Sequence, residues 1–477
     1  MFVGRNREMK LLTDLFALKK ASLVVCKGRR RIGKSTLIQQ FAQKCSTFLE
    51  FQGLPPREGI SNTDQLNAFS EQLSRQTLFP KIKIESWYQA FSILNGVIKN
   101  EKTVVFLDEI SWMAGNDKDF AGQLKIIWDT ELKKHSQLML VLCGSVTSWI
   151  EDNIMNHTGF MGRVSLEITL EELELYHCNA FWGKKTDRIT PKEKLKILAV
   201  TGGVPRYLEE INPNLSAEEN IKRMCFRKEG ILFSEFDKIF NDIFSRRAAT
   251  YKKIISVLSG GYKSLTEITN EMAVDRSGTT GKYLDDLIMS GFVAKETIFK
   301  PGKDIKTRFC KYRLKDNYLR FYVKYIEPLQ DKTAKGLFEG FSLDDLVDWD
   351  IIMGFQFENL ILNNLKSVCS NLDIRLSGIK SAGYYFQKKT KRQMACQIDL
   401  LIQTKYTIYV CEIKFRNVIP KKVITEVQEK INRLKVPKGM SVRPVLIYSG
   451  ELEKSILKED FFDQLICFED FLKYPIS

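Results

Sequence analysis

Gly28 to Ser35 reads Gly-Arg-Arg-Arg-Ile-Gly-Lys-Ser, a complete G-x-x-x-x-G-K-[ST] pattern between the apolar run Ala21 to Cys26 and the helix-forming run Thr36 to Gln43. Such a pattern calls for a buried strand, a tight loop and a helix in that order, which places it in a parallel α/β sheet. Glycine lets the backbone wrap so that successive N–H groups face phosphate oxygens, and the following helix adds the positive end of its dipole. Gly28, Arg29, Arg30, Arg31, Ile32 and Gly33 would then line a nucleotide's phosphates, with Thr36 beside them. Lys34 would reach the β- and γ-phosphates and Ser35 would hold Mg²⁺.

Two more apolar runs end in the residues such a site needs. Thr103 to Asp108 reads as a strand buried on both faces and finishes in Asp108-Glu109. Asp108 is placed to organise the Mg²⁺ shell and Glu109 to polarise an attacking water. Leu138 to Cys143 leads into Gly144-Ser145, which puts Ser145 beside the γ-phosphate. Arg163, in Phe-Met-Gly-Arg-Val-Ser, has two readings. It either stabilises transition-state charge, in its own or a neighbouring subunit of an ATP-dependent homo-oligomer, or forms a plain salt bridge.

Phe2-Val3-Gly4-Arg5 with Glu8, the phosphate loop, Leu-Asp-Glu-Ile, Cys-Gly-Ser and Thr201-Gly202-Gly203-Val204-Pro205-Arg206-Tyr207 together resemble the archaeal-type ATPase family. That family belongs to the STAND group of P-loop ATPases, relatives of AAA+ proteins. The resemblance implies ATP and Mg²⁺ as ligands, Val3 and Arg5 near the base, and a helical lid whose Gly-Gly-Val-Pro turn brings Pro205 over the nucleotide. The helical, charged stretch from about Glu171 to Arg247 suits such a lid.

Composition narrows the setting. The 477 residues are ample for three or four domains. No uncharged apolar stretch approaches the ~20 residues of a membrane span, and the charged N-terminus is unlike a signal peptide. Ten scattered cysteines without a C-x-x-C pair, and three histidines, point to a reducing, cytoplasmic protein without structural zinc. A net charge of +15 favours a polyanionic partner such as nucleic acid or an acidic membrane surface, although lysine-rich solvated helices give the same balance; the expected partner is nucleic acid, DNA before RNA, and no membrane.

Ala248 to Leu258, Leu265 to Met272 and Thr279 to Met289 form three short amphipathic segments, followed by a strand pair from Gly291 to Leu314. This is a winged helix-turn-helix pattern. As a DNA reader it would present Arg276, Thr279, Thr280 and Lys282 to the major groove and Lys303, Lys306 and Arg308 to phosphate. As a docking module it would not, and Asp285-Asp286 would repel phosphate. The aromatic run Tyr318 to Tyr325 is open to two uses, base stacking or core.

The C-terminal part holds a second constellation. Asp399 lies in the apolar run Gln397 to Ile402, and Glu412-Ile413-Lys414 ends the next, Thr407 to Ile413. Glu412 and Lys414 share a strand face, and a hairpin would bring Asp399 to them. Two carboxylates could then bind Mg²⁺ and activate water, with Lys414 balancing charge. The spacing resembles the PD-(D/E)xK nuclease family, which implies an upstream helical acid, assigned to Glu358, and a polar residue on a later helix, for which Gln428 is a candidate. The basic run Lys388 to Arg392 would grip phosphate or form a solvated hairpin tip.

The expected fold class is thus α/β: a P-loop NTPase parallel-sheet core (1–170), a helical lid (171–247), a winged helix-turn-helix (248–316) and a C-terminal α/β restriction-endonuclease-like domain (317–477). The expected function is ATP hydrolysis gating a Mg²⁺-dependent nuclease-like site, with Asp399, Glu412 and Lys414 cutting the phosphodiester. The alternative is a STAND-type ATP switch with an inactive docking domain.

Overall fold

The computed structural model describes residues 1–474 apart from 100, 146, 245–246, 274–277, 303–305, 339 and 392. The chain divides into two compact units. One comprises Met1–Glu171, Lys238–Arg246 and Met289–Gly291; the other comprises Glu172–Asp237, Arg247–Ile288 and Phe292–Ser477.

The first unit is built on a parallel five-stranded sheet of β1 (Ser22–Gly28), β2 (Thr47–Gln52), β3 (Thr103–Asp108), β4 (Leu138–Gly144) and β5 (Val164–Leu170). The order is β2-β3-β4-β1-β5. Every residue of β1, β3 and β4 is buried, because side chains alternate between two apolar layers. Leu23, Val25, Val105, Leu107, Leu140 and Leu142 enter one layer. Val24, Cys26, Val104, Phe106, Val141 and Cys143 enter the other. A strand apolar on both faces needs cover on both, and this is why these runs lack polar alternation. Cys26 pairs in register with Cys143 and Phe106 with Val141, so the ends of β1, β3 and β4 lie side by side.

The second unit opens with helices, including Pro191–Thr201 and Ala217–Cys225. Its Gly-Gly-Val-Pro segment has a packing explanation. A Cβ on Gly203 would stand 2.3 Å from the Leu173 carbonyl oxygen, so only glycine lets the two backbones meet. Pro205 then opens the helix Pro205–Leu208, where its missing N–H costs nothing. Helices Ala248–Ser259, Leu265–Glu271 and Gly278–Met289 precede the antiparallel hairpin of β6 (Val293–Phe299) and β7 (Lys306–Leu314). Tyr318, Phe321, Tyr322 and Tyr325 are buried, and the Tyr318 hydroxyl donates to the Leu232 carbonyl at 2.8 Å. This aromatic run is core and has no face for bases.

A mixed sheet completes the unit: β8 (Ser381–Gln387), β9 (Cys396–Gln403), β10 (Thr407–Ile419), β11 (Ser441–Leu452) and β12 (Gln464–Cys467), in the order β12-β11-β10-β9-β8. β9 runs antiparallel to both β8 and β10, whereas β10, β11 and β12 run parallel to one another. The helix Lys422–Arg433 connects β10 to β11. No helix among the described residues is long and apolar enough to cross a membrane.

Candidate functional site

The phosphate loop leaves β1 at Gly28, where a Cβ would stand 2.6 Å from the Leu170 carbonyl oxygen of β5. Gly28→Ala is therefore expected to displace β5 and cost about 1–3 kcal/mol, read as a lower urea midpoint with weakened ATP binding. The loop turns through left-handed backbone at Arg31 and Gly33 (φ 70° and 90°), and Gly33 caps the helix Lys34–Ala42. Lys34 is buried, and its ammonium donates to the carbonyls of Gly28 (2.9 Å) and Arg29 (3.0 Å). One cation thus holds the loop's curve and stands where phosphates would arrive. Arg5, itself left-handed, braces the loop from outside, donating to the carbonyls of Ile32 (3.1 Å) and Glu171 (2.7 Å). The Arg30 guanidinium lies 5.7 Å from the Trp112 ring centre. Val3 is half-buried and Thr36 exposed.

Across the strand ends runs a chain of hydrogen bonds. Ser35 Oγ donates to Asp108 Oδ2 at 2.7 Å, and the Glu109 N–H donates to Asp108 Oδ1 at 3.0 Å. These two adjacent hard oxygens suit Mg²⁺, which is held by one or two carboxylates together with substrate phosphates. Glu109 adopts left-handed backbone (φ 49°), which aims its carboxylate at Ser145. It accepts from the Ser145 N–H at 3.1 Å and from Ser145 Oγ at 2.9 Å. The water-polarising candidate and the γ-phosphate-reading candidate are therefore partners, a pairing the sequence did not suggest.

Arg163 forms a two-point ion pair with Asp129, each bond 2.8 Å, and the Asp129 carboxyl is held down to about 2, chiefly by that hydrogen bond. This is the salt-bridge arrangement. Pro205 belongs to the second unit.

In that unit, antiparallel pairing of Leu400 with Cys411 brings Asp399 beside the Glu412 segment, and the Ile413 N–H donates to Asp399 Oδ2 at 2.9 Å. Glu412 is buried, with one oxygen 2.8 Å from the Lys414 ammonium and the other paired with Lys430. Glu358, on the helix Trp349–Asn363, accepts from the Tyr262 hydroxyl at 3.0 Å. Burial, then the charges of Glu412 and Glu358, push the Asp399 carboxyl up to about 8. Burial raises Glu358 as well.

Lys430 was missed from sequence although the pattern held it. On the helix Lys422–Arg433, the buried Val423 and Val427 mark the inward face, and Lys430 follows one turn later. Gln428 sits on another face, exposed, and donates to Asn432 at 3.0 Å.

As arranged, this set does not fit a bound divalent cation. Lysines occupy both oxygens of Glu412, and no group of three Asp, Glu, His or Cys among the described residues could hold a metal. In this arrangement the two lysines supply the counter-charge to Glu412 that a metal would bring.

A proton retained by folded Asp399 stabilises the fold most fully below its ordinary carboxyl range near 4, and the contribution is lost as pH rises through about 8. Asp399→Asn, which cannot ionise, should therefore gain thermal stability relative to the parent at pH 9 but not at pH 5.

Around the three short helices, Thr279 and Lys282 are exposed and Thr280 is buried, so Thr280 cannot reach a groove. Asp286 accepts from the Tyr251 hydroxyl at 2.5 Å. Arg276, Lys303, Arg392 and the side chains of Lys306 and Arg308 lie outside the described residues.

Residues 2–211 match the family described as an ATPase domain predominantly from Archaea. An uncharacterized protein of Methanocaldococcus jannaschii is 25% identical over 364 residues, 76% of each chain. An uncharacterized ATP-binding protein of the same organism is 42% identical over 43 residues, 9% of this chain and 73% of that one. Among solved structures, a Walker-type ATPase of Pyrococcus abyssi superimposes with a TM-score of 0.53 at 16% identity, covering 68% of this chain and 96% of that one. The last likeness is one of fold. The segment similar to that archaeal ATPase domain, residues 2–211, is the one that carries the phosphate loop, the Ser35–Asp108 pair and the parallel sheet.

Proposed function

We propose that the chain is an ATP-driven switch that uses Mg²⁺-dependent hydrolysis in its first unit to control engagement of nucleic acid by its second. The observation that carries this reading is the run Ser35–Asp108–Glu109–Ser145 across three neighbouring strand ends. Lys34 trades its two loop carbonyls for phosphate oxygens, and Ser35 and Asp108 orient the bound ion. Mg²⁺ supplies neutralisation of the charge on the phosphate oxygens. Ser145 turns its hydroxyl toward the γ-phosphate and so releases Glu109, which then orients the attacking water. In this reading ADP cannot draw Ser145 away, so the base stays tied. Arg163 could act on a neighbouring subunit only after giving up Asp129.

On the output side, we read the three helices and hairpin within 248–316 as a winged helix, the stretch 171–247 as the lid carrying Pro205, and 317–477 as a PD-(D/E)xK-like domain used for docking on DNA. The hold of Lys414 and Lys430 on Glu412 favours docking over cutting. A nuclease remains the second reading, favoured by the neighbouring placement of Asp399 and Glu412 on paired strands. The test is ATP turnover by the full chain with and without linear, single-stranded and branched DNA in Mg²⁺ or Mn²⁺, with cutting scored in parallel. DNA-modulated ATP turnover without cutting supports the switch. Cutting that disappears in Asp399→Ala installs the nuclease instead, and turnover indifferent to every nucleic acid, with no cutting, removes both readings of the output.

A further inference from the structure

A cleft of about 790 Å³ opens in the second unit, between the turn after the helix Ala217–Cys225 and the loop after the helix Glu327–Ala334. That size is in the ~300–1,000 Å³ range of small-molecule sites. Its lining combines Lys222, Arg227, Lys228 and Lys335 with Phe338 and Phe341. Glu229 is the one acid among the described lining residues, against four basic side chains.

The side chains fall into two roles. Arg227, Lys228 and Lys335 are exposed, and no ion pair engages them among the described residues. Lys222 is committed: it pairs with Glu218 at 2.8 Å and lies 4.6 Å from the Phe341 ring centre. Phe338 and Phe341 stack at 4.0 Å, and Phe226 closes their inner side at 5.7 and 5.2 Å. The two rings are half-buried, so each keeps part of its surface on the cleft. Gly336 and Gly340, both with positive φ, bracket this aromatic loop. Exposed cations beside a stacked aromatic pair are what phosphate and a planar base require together.

We infer that this cleft binds a nucleotide unit, its phosphate held by Arg227, Lys228 and Lys335 and its base against the Phe338–Phe341 stack. The unit comes either from a single strand or from a free nucleotide. The site is separate from the phosphate loop and does not depend on the C-terminal carboxylates, so it stands or falls apart from the switch reading.

The experiment uses full-length protein carrying Lys34→Ala, which silences the phosphate loop, and titrates it with fluorescent oligo-dT and with a fluorescent ADP analogue. Binding of the oligonucleotide should weaken at least tenfold in Arg227→Gln/Lys335→Gln, and the slope of log K against log salt should become shallower by about 0.7 for each lost phosphate contact. Phe338→Leu, which keeps an apolar filler, should weaken binding severalfold without changing that slope. If the ADP analogue shows these losses and oligo-dT does not bind, the source is a free nucleotide. Failure of both probes to bind, or binding unchanged in the charge and ring variants, overturns the inference. Wild-type ATP turnover in Arg227→Gln/Lys335→Gln on the Lys34 background verifies that the fold is intact.

Discussion

Glu109→Gln should lower ATP turnover by about 10²–10⁴-fold while leaving ATP affinity within severalfold of the parent. The amide keeps the size of the carboxylate and can still accept from Ser145, so the loop and its Lys34 bonds stay as they are. What it loses is the charge that draws a proton from the attacking water. Ser145→Ala leaves that charge in place and removes only the hydroxyl donor, so its effect on turnover should be much smaller, with discrimination between ATP and ADP reduced. Single-turnover hydrolysis together with equilibrium binding of both nucleotides reads the two variants. A Glu109→Gln protein that hydrolyses ATP at the parent rate would remove Glu109 from the chemistry.

Glu412→Ala should be the most destabilising single change in the C-terminal sheet, at about 3–5 kcal/mol. It leaves the ammonium groups of Lys414 and Lys430, each about a quarter accessible, without the carboxylate between them. Two like charges then face one another next to apolar β10. Replacing both lysines by methionine on this background should recover most of the loss, because the cost lies in two under-compensated ammonium groups, of which Lys414 keeps Glu426 at 3.5 Å, and not in the missing contacts. Urea unfolding of the parent, Glu412→Ala, Lys414→Met/Lys430→Met and the combined variant measures it, and additivity across that cycle would show that the groups do not act as a unit.

The first half of the chain was more legible than the second, for a physical reason. A phosphate loop is local: its spacing, the apolar run before it and the helix after it stand together in one stretch of sequence, as do Asp108-Glu109 and Gly144-Ser145 at their strand ends. Partners such as Glu109 with Ser145, or Arg163 with Asp129, join residues 36 and 34 positions apart, and no local pattern encodes them. Around Asp399 the strand alternation correctly joined Glu412 with Lys414, yet the sign of the site turned on Lys430, whose placement needs the helical period counted from Val423. The aromatic run at Tyr318 could have been a stacking surface or core, and only burial separates the two.

Tyr262 ties together stretches that a domain diagram would separate. It lies between the helices Ala248–Ser259 and Leu265–Glu271, yet its ring stacks on Tyr384 of β8 at 3.9 Å and its hydroxyl serves Glu358. Arg313 of β7 likewise reaches Asn359 and Asn363 on the helix that carries Glu358. A boundary drawn near residue 316 would cut through both, stranding the half-buried Glu358 carboxylate on one side and the buried Arg313 guanidinium on the other. Recombination between relatives should therefore exchange the middle helices and the C-terminal sheet as one inherited cassette, and chimeras joined at that point should fail to accumulate as folded protein.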